Sequence, residues 1–221
     1  MKISLLFLLT VLLSVACVRN GKEHDTENVQ GNSAQTFVYE CSDLEFVALI
    51  EGEAAWLFLP GETVSLAHIS AASGARYRNE ATQFWSKGEE AMLEWNGKQH
   101  NRCRNNRTRA IWEHAKLNGV DFRAVGNEPG WVLELRDNNG SGSISFVTDY
   151  GSTGNLFPSI ERKTEGSARR TIYHAQSGEQ QIKLVLEGLH CNDSMADISY
   201  ETTVTVFVDD REFRGCGRAL H

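Results

Sequence analysis

The chain has 221 residues, 41% hydrophobic and 23% charged, with 19 glycines and a formal charge of −7. That length holds one large domain or two small ones, and the missing clustered basic surface excludes nucleic acid as the expected partner. An acidic surface instead favours encounter with a cationic partner, acting on the on-rate more than on the final affinity.

Lys2 places a positive charge ahead of an almost unbroken apolar run over residues 3–13. The run is too short to span a bilayer comfortably and has the length of a signal-peptide core. Small residues Ser14 and Ala16 then lead into Cys17. A cysteine in that place resembles a bacterial lipobox, cut before a diacylated Cys. The resemblance implies a signal peptide over 1–16 and a membrane anchor on Cys17. Leu13 stands one position before the usual lipobox leucine, whose place Ser14 takes. Val18 follows the cysteine instead of Asp, which by similarity to Gram-negative lipoproteins implies the outer membrane, facing the periplasm. The rest, to Gln35, is polar with almost no apolar periodicity, and 17–35 reads as the lipidated Cys with a flexible tether.

From Phe37 the pattern becomes strand-like. Phe37, Tyr39 and Cys41 alternate with Val38 and Glu40, and apolar runs follow at 46–50, 54–59 and 64–69. Glu51-Gly52-Glu53 and Pro60-Gly61-Glu62 punctuate them. Asn96-Gly97 tolerates positive φ at both central positions and is a strong hairpin signal. About eight short strands over 36–105 predict an all-β fold, a small antiparallel barrel or sandwich whose closure removes exposed edges. Residues 107–117, with Ala110, Ile111 and Ala115 and neither Gly nor Pro, predict a short helix ended by Asn118-Gly119. It is read as a connector over 106–121. A second antiparallel β domain is expected over 122–221, with strand candidates at 131–135, 144–147, 171–175, 182–186 and 202–208. Turns at Asn138-Asn139-Gly140 and Asp209-Asp210 fit hairpins.

Apart from Cys17 the cysteines are Cys41, Cys103, Cys191 and Cys216. Their spacing is unlike that of a zinc site, and an even number in an exported chain reads as two disulfides. Of the three possible pairings, Cys41 with Cys103 and Cys191 with Cys216 fits the two-domain division; the first would tie the first strand to the last. The seven histidines are scattered, with no two four apart beside a carboxylate. No cofactor or metal is expected.

The informative stretch is Ser70-Ala-Ala-Ser73-Gly74-Ala-Arg76-Tyr77 followed by Phe84-Trp85-Ser86-Lys87-Gly88-Glu89-Glu90-Ala91. With Tyr39-Glu40-Cys41 upstream and Cys103 downstream, it resembles the MliC family of inhibitors of C-type lysozyme over roughly residues 37–104. The resemblance implies a small β-barrel, no enzymatic activity, C-type lysozyme as partner, and a loop that enters the enzyme's cleft. The family's inhibitory Ser and Lys correspond to Ser73 and Lys87. Gly74 and Gly88 would let the loop backbones turn tightly, and Arg76, Tyr77 and Trp85 complete the expected contact set. Without the family, Ser73 and Lys87 would be ordinary loop residues, and Phe84, Trp85 and Tyr77 core aromatics.

The segment from Phe122 carries Gly126-Asn127-Glu128-Pro129-Gly130-Trp131, then Cys191-Asn-Asp193-Ser-Met195-Ala-Asp197 and Gly215-Cys216. It resembles an uncharacterised bacterial lipoprotein domain of the Gly-Asn-Glu-Pro-x-Trp type, in which Phe often stands where this chain has Gly130. Glu128, Asp193 and Asp197 offer a ligand or cation site; alternatively Asn127, Glu128 and Asp193 bond turns and hold the disulfide loop. Two other functions compete with inhibition. A Ser–Lys enzyme built on Ser73 and Lys87 lacks the Ser-x-x-Lys arrangement and a buried lysine. A non-inhibitory envelope module would bind glycan or another envelope protein through the second domain.

Overall fold

The computed structural model describes residues 33–139, 141–193 and 195–221, so the signal peptide, Cys17, most of the tether, Gly140 and Ser194 lie outside the described residues. Among the described residues no helix is long and apolar enough to cross a membrane.

Eight strands form a closed antiparallel barrel: β1 (Gln35–Glu40), β2 (Glu45–Glu51), β3 (Ala54–Leu59), β4 (Glu62–Ile69), β5 (Ala75–Arg78), β6 (Gln83–Lys87), β7 (Glu90–Trp95) and β8 (Lys98–Asn105). Gln35, expected to end the tether, already opens β1. The Asn96-Gly97 turn has φ of 52° and 69°, the paired left-handed conformation that such a hairpin requires. Closure comes from β1 against β8, Tyr39 facing Asn105 and Glu40 facing Arg104. The Cys41–Cys103 disulfide forms beside that seam. Inside, Tyr39, Phe46 and Phe84 meet at ring-centroid distances of 5.5–5.9 Å, and Leu57, Leu66 and Leu93 are buried around them. Each such side chain contributes about 1.5–3 kcal/mol of burial.

The helix α1 runs over Arg107–Leu117, and the Asn106 side chain caps it by accepting from the Arg109 N–H at 3.1 Å. It does more than connect. Ala110, Trp112 and Ala115 are buried, whereas Ile111 is 53% exposed. Trp112 packs with Val120, Tyr200, Cys216 and Leu220, while Arg218 lies 4.8 Å and Arg123 5.6 Å from its ring centroid. Towards the barrel, Arg109 reaches Glu40 (3.0 Å) and Glu45, Arg107 reaches Glu89, and His114 bonds Thr36.

The remaining strands are β9 (Phe122–Asn127), β10 (Gly130–Arg136), β11 (Ser143–Thr148), β12 (Thr153–Pro158), β13 (Glu161–Glu165), β14 (Arg170–Ser177), β15 (Gln180–Glu187), β16 (Cys191–Asp193), β17 (Ile198–Tyr200), β18 (Thr202–Val208) and β19 (Arg211–Ala219). Nine make one antiparallel sheet in the order β12-β11-β10-β9-β19-β18-β15-β14-β13, and β16 pairs only with β17. Strict alternation sends Trp131, Leu133, Leu135, Ile144, Phe146, Leu184, Val204, Val206 and Phe213 to one inner core. The Cys191–Cys216 bond ties β16 to β19 on the opposite face. The expected strands all form, and β9, β12, β13, β16, β17 and β19 are added to them. β13 shows why a sequence hides such elements: Glu161-Arg162-Lys163-Thr164-Glu165 has no apolar residue, as befits a charged, exposed sheet edge.

Candidate functional site

Ser73 and Gly74 end the connection from β4 to β5, and Lys87 ends β6 just before the two-residue turn Gly88-Glu89. β5 and β6 pair with Ala75 opposite Ser86, so the residues before Ala75 come alongside Lys87. Gly74 sits at φ +71°, where a Cβ would lie 2.3 Å from the Ser86 carbonyl and 3.2 Å from the Lys87 Cβ. Only glycine lets the loop press so closely on β6. The Trp85 indole N–H donates to the Ser73 carbonyl at 2.8 Å, pinning the loop from its other side. Gly88, at φ +61° with open space where a Cβ would point, simply supplies the left-handed first position of its turn. Ser73 and Lys87 are thus held beside each other, and both are exposed.

The carboxylate closest to Lys87 in the chain is already engaged elsewhere. Glu89, two residues on, accepts from Arg107 at 2.6 Å and Asn105 at 3.1 Å. Those two donors, Arg107 first, hold its carboxyl below the usual range. Glu90 faces Lys87 across the hairpin, yet Lys87 makes no ion pair among the described residues.

The rest of the expected contact set divides. Trp85 is half-buried outside the barrel, against Gly74. Arg76, also half-buried, donates to Gln83 at 2.7 Å and is committed within the barrel wall. Tyr77 is 4% exposed and stacked 6.0 Å from Phe84 in the core beneath the loops, which agrees with the core-aromatic reading rather than the contact one. The pinning by Trp85 and the capture of Glu89 by Arg107 were invisible in the sequence, since each depends on strand register or on where α1 docks.

On the second sheet, Asn127 donates to Asp193 at 2.7 Å, and the Met195 and Ala196 N–H groups point at the same Asp193 oxygen. Asp193 therefore holds its turn, as the plainer expectation had it. Asp197 sits at φ 53° and exposed, away from the groove that Glu128 and Asp193 line. Among the described residues no group of three or more His, Cys, Asp or Glu is placed to hold a metal ion.

Residues 39–102 match the model of the family described as membrane-bound lysozyme-inhibitor of c-type lysozyme, MliC. The match runs from β1 into β8 and spans Ser73 and Lys87, leaving the helix and the second sheet outside it. Comparison with curated proteins and with solved structures gave no match. The family is one of inhibitors, not of enzymes, and is described as membrane-bound. Over residues 39–102 the barrel of this chain is similar to the MliC family of lysozyme inhibitors.

Proposed function

We propose that the barrel inhibits C-type lysozyme by seating Ser73 and Lys87 in the catalytic cleft, and that Cys17 anchors the chain by lipid to the outer membrane, facing the periplasm. The observation that carries this is an exposed hydroxyl residue beside an exposed ammonium that has no ion-pair partner among the described residues, clamped by Gly74 and Trp85. Lysozyme works with one protonated carboxyl and one ionised partner. A plug must satisfy both, because a carboxylate dried and left unpaired is destabilised by several kcal/mol. Lys87 supplies a compact cation with three donors, and the Ser73 hydroxyl donates or accepts as the protonation state requires. A pre-set clamp spares the ordering entropy that a floppy loop would lose on binding. A Ser–Lys enzyme would need a buried lysine, and Lys87 is exposed.

The test is titration of C-type lysozyme activity with the full chain and two variants. Lys87→Ala should weaken inhibition by about 2–5 kcal/mol, the scale of a truncated buried charge pair. Ser73→Ala should weaken it by about 1–3 kcal/mol. Wild-type potency in Lys87→Ala would rule out the charge-pairing role.

A further inference from the structure

The geometry points to an oligosaccharide-binding groove on the outer face of the second sheet, with the Tyr150 ring as its stacking platform and Asn127, Glu128 and Asp193 as its hydroxyl partners. This does not rest on lysozyme inhibition.

Two motifs distant in sequence meet here, joined by the Asn127–Asp193 hydrogen bond across 66 positions. They border a groove of about 640 Å³ that also includes Met195, Arg214 and the Cys191–Cys216 bridge. That volume lies in the range of small-ligand sites. Asp193 is only 9% exposed; one of its oxygens takes all three donors, and the other receives no hydrogen bond from a described residue. A buried carboxylate lining a groove with an oxygen to spare is suited to accept from a ligand hydroxyl.

Tyr150 adds the apolar half. It is 88% exposed, and Asp149, Tyr150 and Gly151 have consecutive φ values of 53°, 56° and 96°. Left-handed backbone is unfavourable for residues with side chains, and the segment is held there by hydrogen bonds from the Thr148 hydroxyl to Asp149 and from the Ser152 N–H and hydroxyl to the Asp149 carbonyl. The outcome is a ring laid over Gly130, where a Cβ would come within 2.8 Å of it. Gly130 faces Asn127 across the Glu128-Pro129 turn. Phe122, Ala124 and Gly126 alternate inward along β9, and Trp131, Leu133 and Leu135 along β10, so Gly130 and Asn127 both point outward. Ring, amide and carboxylate therefore follow one another across one face.

A sugar ring presents an apolar CH face and a rim of hydroxyls, which this sequence of groups complements. The charge selects further. Glu128, Asp193 and Glu212 line the groove, and its cation Arg214 is already paired with Glu212 at 2.6 Å, so the groove favours neutral sugars over phosphorylated or acidic ones.

The experiment is a saturation-transfer NMR titration of the full chain with the tetramer of N-acetylglucosamine and with cellotetraose. Saturable binding of at least one probe is expected, with Kd below about 10 mM. Tyr150→Ala should weaken it about tenfold, and Tyr150→Phe should stay within about twofold of wild type, since stacking and not the hydroxyl is used. No saturable binding of either probe, wild-type affinity in Tyr150→Ala, or equal loss in both variants overturns the inference. Lysozyme inhibition, measured on the same samples, is expected to be unchanged in both variants, which separates this site from the barrel's.

Discussion

In the barrel the first strand pairs with the last, Tyr39 against Asn105, whereas the second sheet stays open, with β12 and the charged β13 as its edges. The two regions also place their candidate sites differently. The barrel carries Ser73 and Lys87 on turns that project from a closed wall, 14 positions apart in sequence. The second sheet gathers Asn127 and Asp193 from separate segments into a concavity, with the Tyr150 ring over Gly130 beside it. A protrusion suits entry into another molecule's cleft, and a concavity suits receiving a small one. The difference teaches that one chain can present convex and concave recognition from the same antiparallel architecture, the choice resting on what the connections do.

The largest effect is expected from removing the bond at the closure seam. The Cys41→Ser/Cys103→Ser variant should lose about 2–5 kcal/mol of stability in urea unfolding. The Cys191→Ser/Cys216→Ser variant should lose less. Its separation of 25 against 62 residues corresponds to about 0.8 kcal/mol in loop entropy. Equal losses would show that loop length does not separate the two contributions.

Next in size is the glycine clamp. Gly74→Ala should destabilise by about 1–3 kcal/mol and weaken lysozyme inhibition, because its Cβ meets the Ser86 carbonyl. Gly88→Ala, with φ +61° but open space around it, should lose only about 1 kcal/mol. Thermal unfolding and inhibition measured together distinguish a strained clamp from a merely strained turn. Trp85→Phe keeps an aromatic ring but not the donor to Ser73, and should weaken inhibition by about 0.5–1.5 kcal/mol.

The smallest effect is in pH. Lys98, then His100, hold the Asp43 carboxyl down to about 2. A carboxyl lowered on folding stabilises above its unfolded value, near pH 4, and that contribution is lost as pH falls through about 2. The melting temperature of the wild type should therefore fall between about pH 4 and about pH 2, and fall less in Asp43→Asn. An identical acid dependence in both would show that Asp43 contributes nothing to it.

Much of the barrel was legible because strands such as β3 alternate and Asn96-Gly97 takes the left-handed pair of angles its turn needs. The helix bounds followed from the lack of Gly and Pro between Arg107 and Leu117. The unforeseen strands fail for a physical reason: β13 buries nothing, and β16 and β17 are three residues each. Ser73 and Lys87 each lie in a contiguous motif, whereas the choice between core and contact for Tyr77 depends on register: as the third residue of β5 it turns into the core. The Tyr150 platform left no sequence signal at all. A tyrosine between Asp149 and Gly151 looks like an ordinary turn until its backbone angles are known.

The most direct test of the central claim is titration of C-type lysozyme with the wild-type chain and with the Ser73→Ala/Lys87→Ala double variant, both shown folded by circular dichroism. Stoichiometric inhibition by the first and near-complete loss in the second are expected. Undiminished inhibition by the folded double variant would contradict the claim.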